Sequence, residues 1–149
     1  MKKINGLWLY GLSGSGKTYL SKKISSKIKN SFLIDGDIVR SLISFDLGYT
    51  VKDRIKQNQR VLGLAKIVIK NKMFPIISSV YLDPKVFKDA KKINLKVVNI
   101  LTNKKSNINR KFIFRKNVVG KSIKQPKLNS EVYENSFKNK HTFKIYEKN

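Results

Sequence analysis

The chain has no cysteine, one histidine and few acids: 9 of 149 residues are Asp or Glu. Without cysteine there are no disulfides and no thiolate metal site, which fits a reducing compartment, so the cytoplasm is the expected location. No apolar run is long enough to span a bilayer, and no membrane partner is expected. The start, MKKINGLWLYG, sets two lysines before a short apolar stretch. That stretch is too short for a secretory leader, and the GLSGSGKT run at its end is not a small-residue cleavage site. The sole histidine, His141, is expected at the surface rather than in catalysis. The shortage of acids against 33 basic residues leaves a formal net charge of +24. Such an excess favours anionic partners, from small polyphosphates to nucleic acid. Most of the basic residues are lysines, and Asn and Ile are also abundant, a composition that suggests an AT-rich genome. Much of the charge then acts only as a field, screened beyond about 8 Å at physiological salt. Basic patches that bind nucleic acid are usually interleaved with Arg and aromatics, so nucleic acid is not the expected partner.

What is present alternates regularly. LWLY (7–10) reads as a buried strand and 16–29 as a helix, with Leu20, Ile24 and Ile28 at a spacing of four. SFLID (31–35) is a second strand and 37–43 a short helix. Residues 51–72 suit a long helix, and 74–80 a third strand. Residues 83–92 suit a helix with Pro84 in its first turn, and 95–101 a fourth strand. This βα alternation predicts an α/β fold of three layers with a mostly parallel central sheet. Residues 103–130 are basic and weakly periodic, and read either as a lid or as a connection. Lys104, Lys105, Arg110, Lys111, Arg115, Lys116 and Lys121 would make such a lid basic. The tail HTFKIYEKN offers a further strand through Phe143 and Ile145. No boundary interrupts 1–149, which reads as one domain.

GLSGSGKT, Gly11 to Thr18, fits G-x-x-x-x-G-K-[ST] at every fixed position and lies between a strand and a helix. Gly11, Gly14 and Gly16 let the backbone curl so that N–H groups, those of Ser13 and Ser15 among them, point at phosphate oxygens. The next helix presents its positive end to the same anion. Lys17 reaches the β- and γ-phosphates, and Thr18 offers a hydroxyl to Mg²⁺. A flexible glycine-serine turn would not need this context. The motif implies ATP or GTP binding, with Mg²⁺ as the accompanying cofactor. It leaves open whether the chain is a kinase, a switch or a motor.

Asp35 and Asp37 flank Gly36 at the C-terminal end of the second strand, the sheet edge where ligands bind in doubly wound folds. One carboxylate could orient the Mg²⁺ water and the other accept a proton from an attacking hydroxyl. Asp37 could instead cap a helix opening at Ile38, but a cap explains one aspartate and not two.

WLYGLSGSGKT, LIDGDIVR and DLGYTVKDRIKQNQR together resemble, in order and spacing, the adenylylsulfate (APS) kinase family of P-loop kinases. The resemblance is close over roughly residues 7–66. It implies transfer of the γ-phosphoryl group of MgATP to the 3′-hydroxyl of adenylylsulfate. It also implies catalytic roles for Lys17, Asp35 and Asp37, with Thr18 and Asp35 serving the metal. On the acceptor side it implies that Asp37, Arg40, Arg54, Gln57 and Tyr81 bind the nucleotide, while Tyr49 stacks on its base. Arginine suits such work because its planar fork matches phosphate or sulfate oxygens. The family is commonly dimeric, so a homodimer is a further implication.

The chain departs from the family where the acceptor should lie. Gln57 stands where the family has Asn, and Gln59 where it has the first of two arginines. Tyr81 and Leu82 replace Ser-Pro. Residues 117–126 resemble the family's later motif only faintly, with Ser122 nearest its aspartate. A relative of that family, cytidine diphosphoramidate kinase of bacterial capsule biosynthesis, also phosphorylates a ribose 3′-hydroxyl beside an unusual anhydride, and is the alternative. An ATP-driven switch and a nucleic-acid-binding protein are the more distant readings.

Overall fold

The computed structural model describes residues 3–102 and 117–134. Strand and helix alternate in the order β1 (Gly6–Tyr10), α1 (Lys17–Ser25), β2 (Ser31–Asp35), α2 (Gly36–Leu42), α3 (Val51–Lys70), β3 (Phe74–Ser79), α4 (Pro84–Lys92), β4 (Leu95–Leu101) and β5 (Glu131–Glu134). The strands lie in the order β2-β3-β1-β4-β5, and every neighbouring pair is parallel.

The period of two along the strands builds the layers. Leu7 and Leu9 of β1, with Ile76, Val98 and Ile100, bury against Leu20 and Ile24 of α1. Trp8 and Tyr10, with Ile77 and Val97, point the other way, onto Val61, Leu62 and Ala65 of α3 and Val86, Phe87 and Ala90 of α4. All five residues of β1 are therefore buried. This is the expected three-layer fold, and because every strand runs the same way, every C-terminal strand end meets one edge.

The element ends show where local chemistry decides. The helix expected to reach residue 29 stops at Ser25. The Ser25 hydroxyl is bonded to that of Ser31 at 2.8 Å, and Asn30 takes a left-handed conformation (φ 59°) that turns the chain into β2. Helix α2 begins earlier than expected, at Gly36, and its cap is Asp35 rather than Asp37. Asp35 Oδ1 accepts from the N–H groups of Asp37 (2.9 Å) and Ile38 (3.4 Å). Helix α3 starts at Val51 because the Thr50 hydroxyl accepts from Asp53 N–H at 3.1 Å.

Strand β5 is an addition to the sequence reading. The lid reading of 103–130 falls partly on described residues. Among these, 117–123 forms a tight turn, with Val119 and Ile123 bridged and both packed against Tyr81. Lys121 is exposed there. Residues 103–116, with the other lid cations, lie outside the described residues, as do His141 and the expected strand at Phe143 and Ile145. Among the described residues no helix is long and apolar enough to cross a membrane.

Candidate active site

A cleft of about 830 Å³ opens at the C-terminal edge of the sheet. On one side it is walled by Ser13, Gly14, Gly16, Lys17 and Thr18, between β1 and α1. Gly14 (φ 82°) and Gly16 (φ 85°) occupy backbone conformations that favour glycine, and Gly16 is the N-cap of α1. Gly11 and Ser15, both expected among the phosphate contacts, do not line the cleft. The Gly11 N–H is donated to Ser79 O at 3.1 Å, and a Cβ there would fall 2.3 Å from Ile100 O. Gly11 therefore seats the loop on the sheet. Ser15 is buried, its N–H donated to Leu12 O at 3.1 Å, so it braces the curl from inside.

Lys17 is buried and donates to Leu12 O at 2.9 Å and, at a longer 3.5 Å, to Ser15 Oγ. Burial lowers its pKa to about 8, against the opposing pull of Asp37 and then Asp35. The site thus holds a partly desolvated cation at the mouth of an amide-lined loop, an arrangement suited to a polyphosphate.

The two aspartates divide at their first contacts. Asp35 caps α2 with Oδ1 and uses Oδ2 to accept from Thr18 Oγ1 (3.2 Å) and Ser78 Oγ (3.4 Å). A hydroxyl and a carboxylate oxygen therefore meet beside the phosphate loop, a set of hard oxygen donors that fits Mg²⁺. Among the described residues no group of three or more His, Asp or Glu side chains could cage an ion. A cation at this point would rest on Thr18, Asp35 and the phosphates of a nucleotide. Asp37 gives its N–H to the cap, and its exposed side chain faces the same cleft as Lys17.

The far wall carries Arg40 from α2, Tyr49 from the loop before α3, Arg54 and Gln57 from α3, and Tyr81 after β3. Every residue expected on the acceptor side thus reaches one cleft. Arg40 donates from Nη1 to Gly48 O. Arg54 donates from Nε to Tyr49 O (3.1 Å) and from Nη2 to Asn117 O (2.9 Å). Burial, then the charge of Arg40, pushes the pKa of Arg54 down. Gln57 donates Nε2 to Gly36 O at 3.0 Å, which fixes its amide, and its buried Oε1 has no partner among the described residues. Tyr81 is largely buried, and its phenol is pushed up by that burial.

Several wall residues escaped the sequence reading. Ser78 and Ser79 end β3 beside Asp35, and their place at a strand's C-terminal end was the available signal. Asn58 is buried and ties two segments together: Nδ2 donates to Tyr81 O (3.0 Å) and Oδ1 accepts from Asp83 N–H (2.8 Å). Phe45, at 80% exposure, lies at the rim, and Asn117 and Val118 close the wall from the later turn. No spacing rule marks Phe45, and Asn117 and Val118 belong to the 117–126 stretch whose resemblance to the family's later motif is faint.

The chain matches the family model described as Adenylylsulphate kinase over residues 4–111. It is 41% identical over 66 residues to the bifunctional enzyme NodQ of Rhizobium tropici, covering 42% of this chain and 10% of that protein. It is 33% identical over 87 residues to the adenylyl-sulfate kinase of Clostridium kluyveri, covering 56% of this chain and 42% of that one. The matches therefore span less than half the length of those curated relatives. Among solved structures it superposes on the Mycobacterium tuberculosis APS kinase CysC, in complex with AMPPNP and APS, with a TM-score of 0.73. That match has 17% identity and covers 89% of this chain and 90% of that one, a likeness of fold.

Proposed function

The chain belongs to the adenylylsulphate kinase family, and from that premise we propose that it is an ATP-dependent nucleotide kinase acting on a ribose 3′-hydroxyl. The acceptor proposed first is adenylylsulfate, giving 3′-phosphoadenylylsulfate. The observation that carries the reading is the shared wall: Asp37, Arg40 and Arg54 line the same cleft as Lys17 and Thr18.

In this reading the amides of Ser13, Gly14, Gly16, Lys17 and Thr18, which line the cleft, and the Lys17 ammonium hold the β- and γ-phosphates. Thr18 and Asp35 hold Mg²⁺, which when bound draws off charge from the phosphate oxygens. Asp35 is already committed to the cap and to Thr18, so Asp37 is the carboxylate left to orient the 3′-hydroxyl. The bond from that oxygen to the γ-phosphorus forms as the bridging bond to ADP breaks, and the hydroxyl proton passes to Asp37. Arg40 and Arg54 hold the acceptor's anionic group. Lys17 must leave Leu12 O to reach phosphate, a swap of one oxygen acceptor for a charged one.

A second acceptor, cytidine diphosphoramidate, is the alternative, because Gln57 and Tyr81 line the cleft and differ from the family pattern. A panel separates the two. With MgATP, the protein is offered adenylylsulfate, cytidine diphosphoramidate and plain nucleotides, and ADP and 3′-phosphorylated product are measured. Turnover of one of the first two is expected. Hydrolysis of ATP at one rate with or without any acceptor would remove the kinase reading in favour of a switch.

A further inference from the structure

Tyr49 stands against two cations. Its ring centroid lies 4.5 Å from Arg40 Cζ and 5.5 Å from Arg54 Cζ. Its carbonyl accepts from Arg54, and the carbonyl before it, Gly48 O, accepts from Arg40. Two adjacent residues thus bind two guanidinium groups, each by one backbone oxygen and by the shared ring.

Something must hold these groups together, because like charges at this range repel. The ion pairs among the described residues join Arg60 to Asp46, Lys92 to Asp89 and Lys96 to Glu131, and none involves Arg40 or Arg54. The pKa of Arg54 is lowered first by its burial and then by the charge of Arg40. The groups in direct contact are carbonyl dipoles and the negative face of the Tyr49 ring, while the carboxylates of Asp37, near Arg54, and Asp53, near Arg40, act at longer range. The ring is 51% exposed, so burial does not explain its place.

We propose that Tyr49 is a positioning residue that staples Arg40 and Arg54 side by side, preorganising a two-pronged fork for the anionic group of the acceptor. The inference rests on the acceptor-side reading of the cleft and deepens it. A ring that only stacked on a base would affect nucleotides through the base alone. A ring that holds the arginines affects any anion the fork receives, with or without a base. Leucine at this position keeps apolar bulk but lacks the quadrupole, so the guanidiniums would keep only their backbone acceptors, would repel one another with less compensation, and would have to be drawn together by the ligand.

The test isolates the fork. The phosphate loop is first filled with Mg²⁺ and AMPPNP, and ribose 5-phosphate, which has no base, is then titrated beside AMP. In Tyr49→Leu ribose 5-phosphate should weaken about tenfold for the loss of two cation–π contacts, and AMP by at least as much. Tyr49→Phe, which keeps the ring, should stay within about twofold of the unaltered protein for both. AMPPNP affinity should be equal in all three. Weakening of AMP alone in Tyr49→Leu would make the ring a base platform and overturn the proposal. Equal losses in Tyr49→Phe and Tyr49→Leu would assign the effect to the hydroxyl and overturn it as well. So would a parallel loss of AMPPNP, which would mark a general structural role. If the unaltered protein with AMPPNP bound takes up neither probe, the acceptor-side reading itself falls, and this inference with it.

Discussion

Lys17 is 8% exposed, and its ammonium rests on a carbonyl and a hydroxyl, a poor exchange for water. An unfolded lysine keeps its proton until about 10.5, whereas this one releases it near 8. Between those values the unfolded chain binds more protons than the folded one, so folded stability rises with pH across that window. Below pH 8 the full cost of the buried charge is present, on the order of 3 kcal/mol for a shift of this size. Lys17→Met is therefore expected to melt higher than the unaltered protein at pH 7. The gap should close as pH rises from about 8 to about 10, read from melting curves across pH. The same variant should lose phosphoryl transfer. A variant that melts lower at pH 7 would show that the ammonium stabilises the empty fold. The aspartates permit a second comparison. Asp37→Asn should lower kcat by about 100-fold or more with MgATP binding retained, the scale of a lost general base. Asp35→Asn should instead raise the Mg²⁺ concentration needed and weaken the α2 cap. Equal Mg²⁺ requirements in both variants would undo the division of labour. Of these roles, the lysine was legible in the sequence, because the phosphate loop fixes its spacing from the glycines. Which aspartate caps α2 was not legible: Asp35 and Asp37 are the same residue type, and only the helix start at Gly36 separates them.

The elements carry these residues to one edge, and they were legible to different degrees. Strands β1, β3 and β4 are apolar and lie inside the sheet, so four- to seven-residue runs between helical stretches revealed them. Strand β5, EVYE, was not legible. It pairs along β4 and adds to the core mainly through half-buried Tyr133, with Glu131, Val132 and Glu134 exposed. A short strand at a sheet's end needs no apolar run, and so leaves little pattern to read. The start of α3 matters most for function, because Tyr49, Thr50, Asp53 and Arg54 lie within six residues. The Thr50 hydroxyl caps the helix and donates to Asp53 Oδ2 at 2.7 Å. Just upstream, Asp46 takes both Nη1 (2.6 Å) and Nη2 (2.8 Å) of Arg60, tying the loop before Tyr49 to the body of α3. Loss of the cap in Thr50→Ala should lower stability by about 1 kcal/mol. It should also raise the acceptor KM more than the ATP KM, because the first turn of α3 bears Arg54 while the phosphate loop hangs from β1. Equal increases in both KM values would mean that the helix start is not coupled to the acceptor wall.

At the scale of the whole molecule the question is what a net charge of +24 does. The exposed lysines of α1, α3 and α4 are spread over several faces. Their sum is a field that draws anions in, and salt screens it within about 8 Å. Arg54 is different in kind: it is partly desolvated, its guanidinium is fixed by two carbonyls, and in the proposed reading it would meet the acceptor at contact distance. Salt weakens a field far more than it weakens such a contact. The two contributions therefore separate in a salt series from about 0.02 M to about 0.3 M, chosen to take the screening length from well above 10 Å to well below it. For the unaltered protein, acceptor kcat/KM should fall as salt rises, because steering is lost. For Arg54→Gln, kcat/KM should lie lower by a factor that stays the same across the series. A nucleic-acid partner would behave otherwise, with oligonucleotide affinity falling by orders of magnitude over that range as counterions are released. If the Arg54→Gln factor shrinks towards one at high salt, Arg54 is only another member of the field. The pair of guanidiniums on Tyr49 would then have no privileged place in binding, however well its geometry suits an anion.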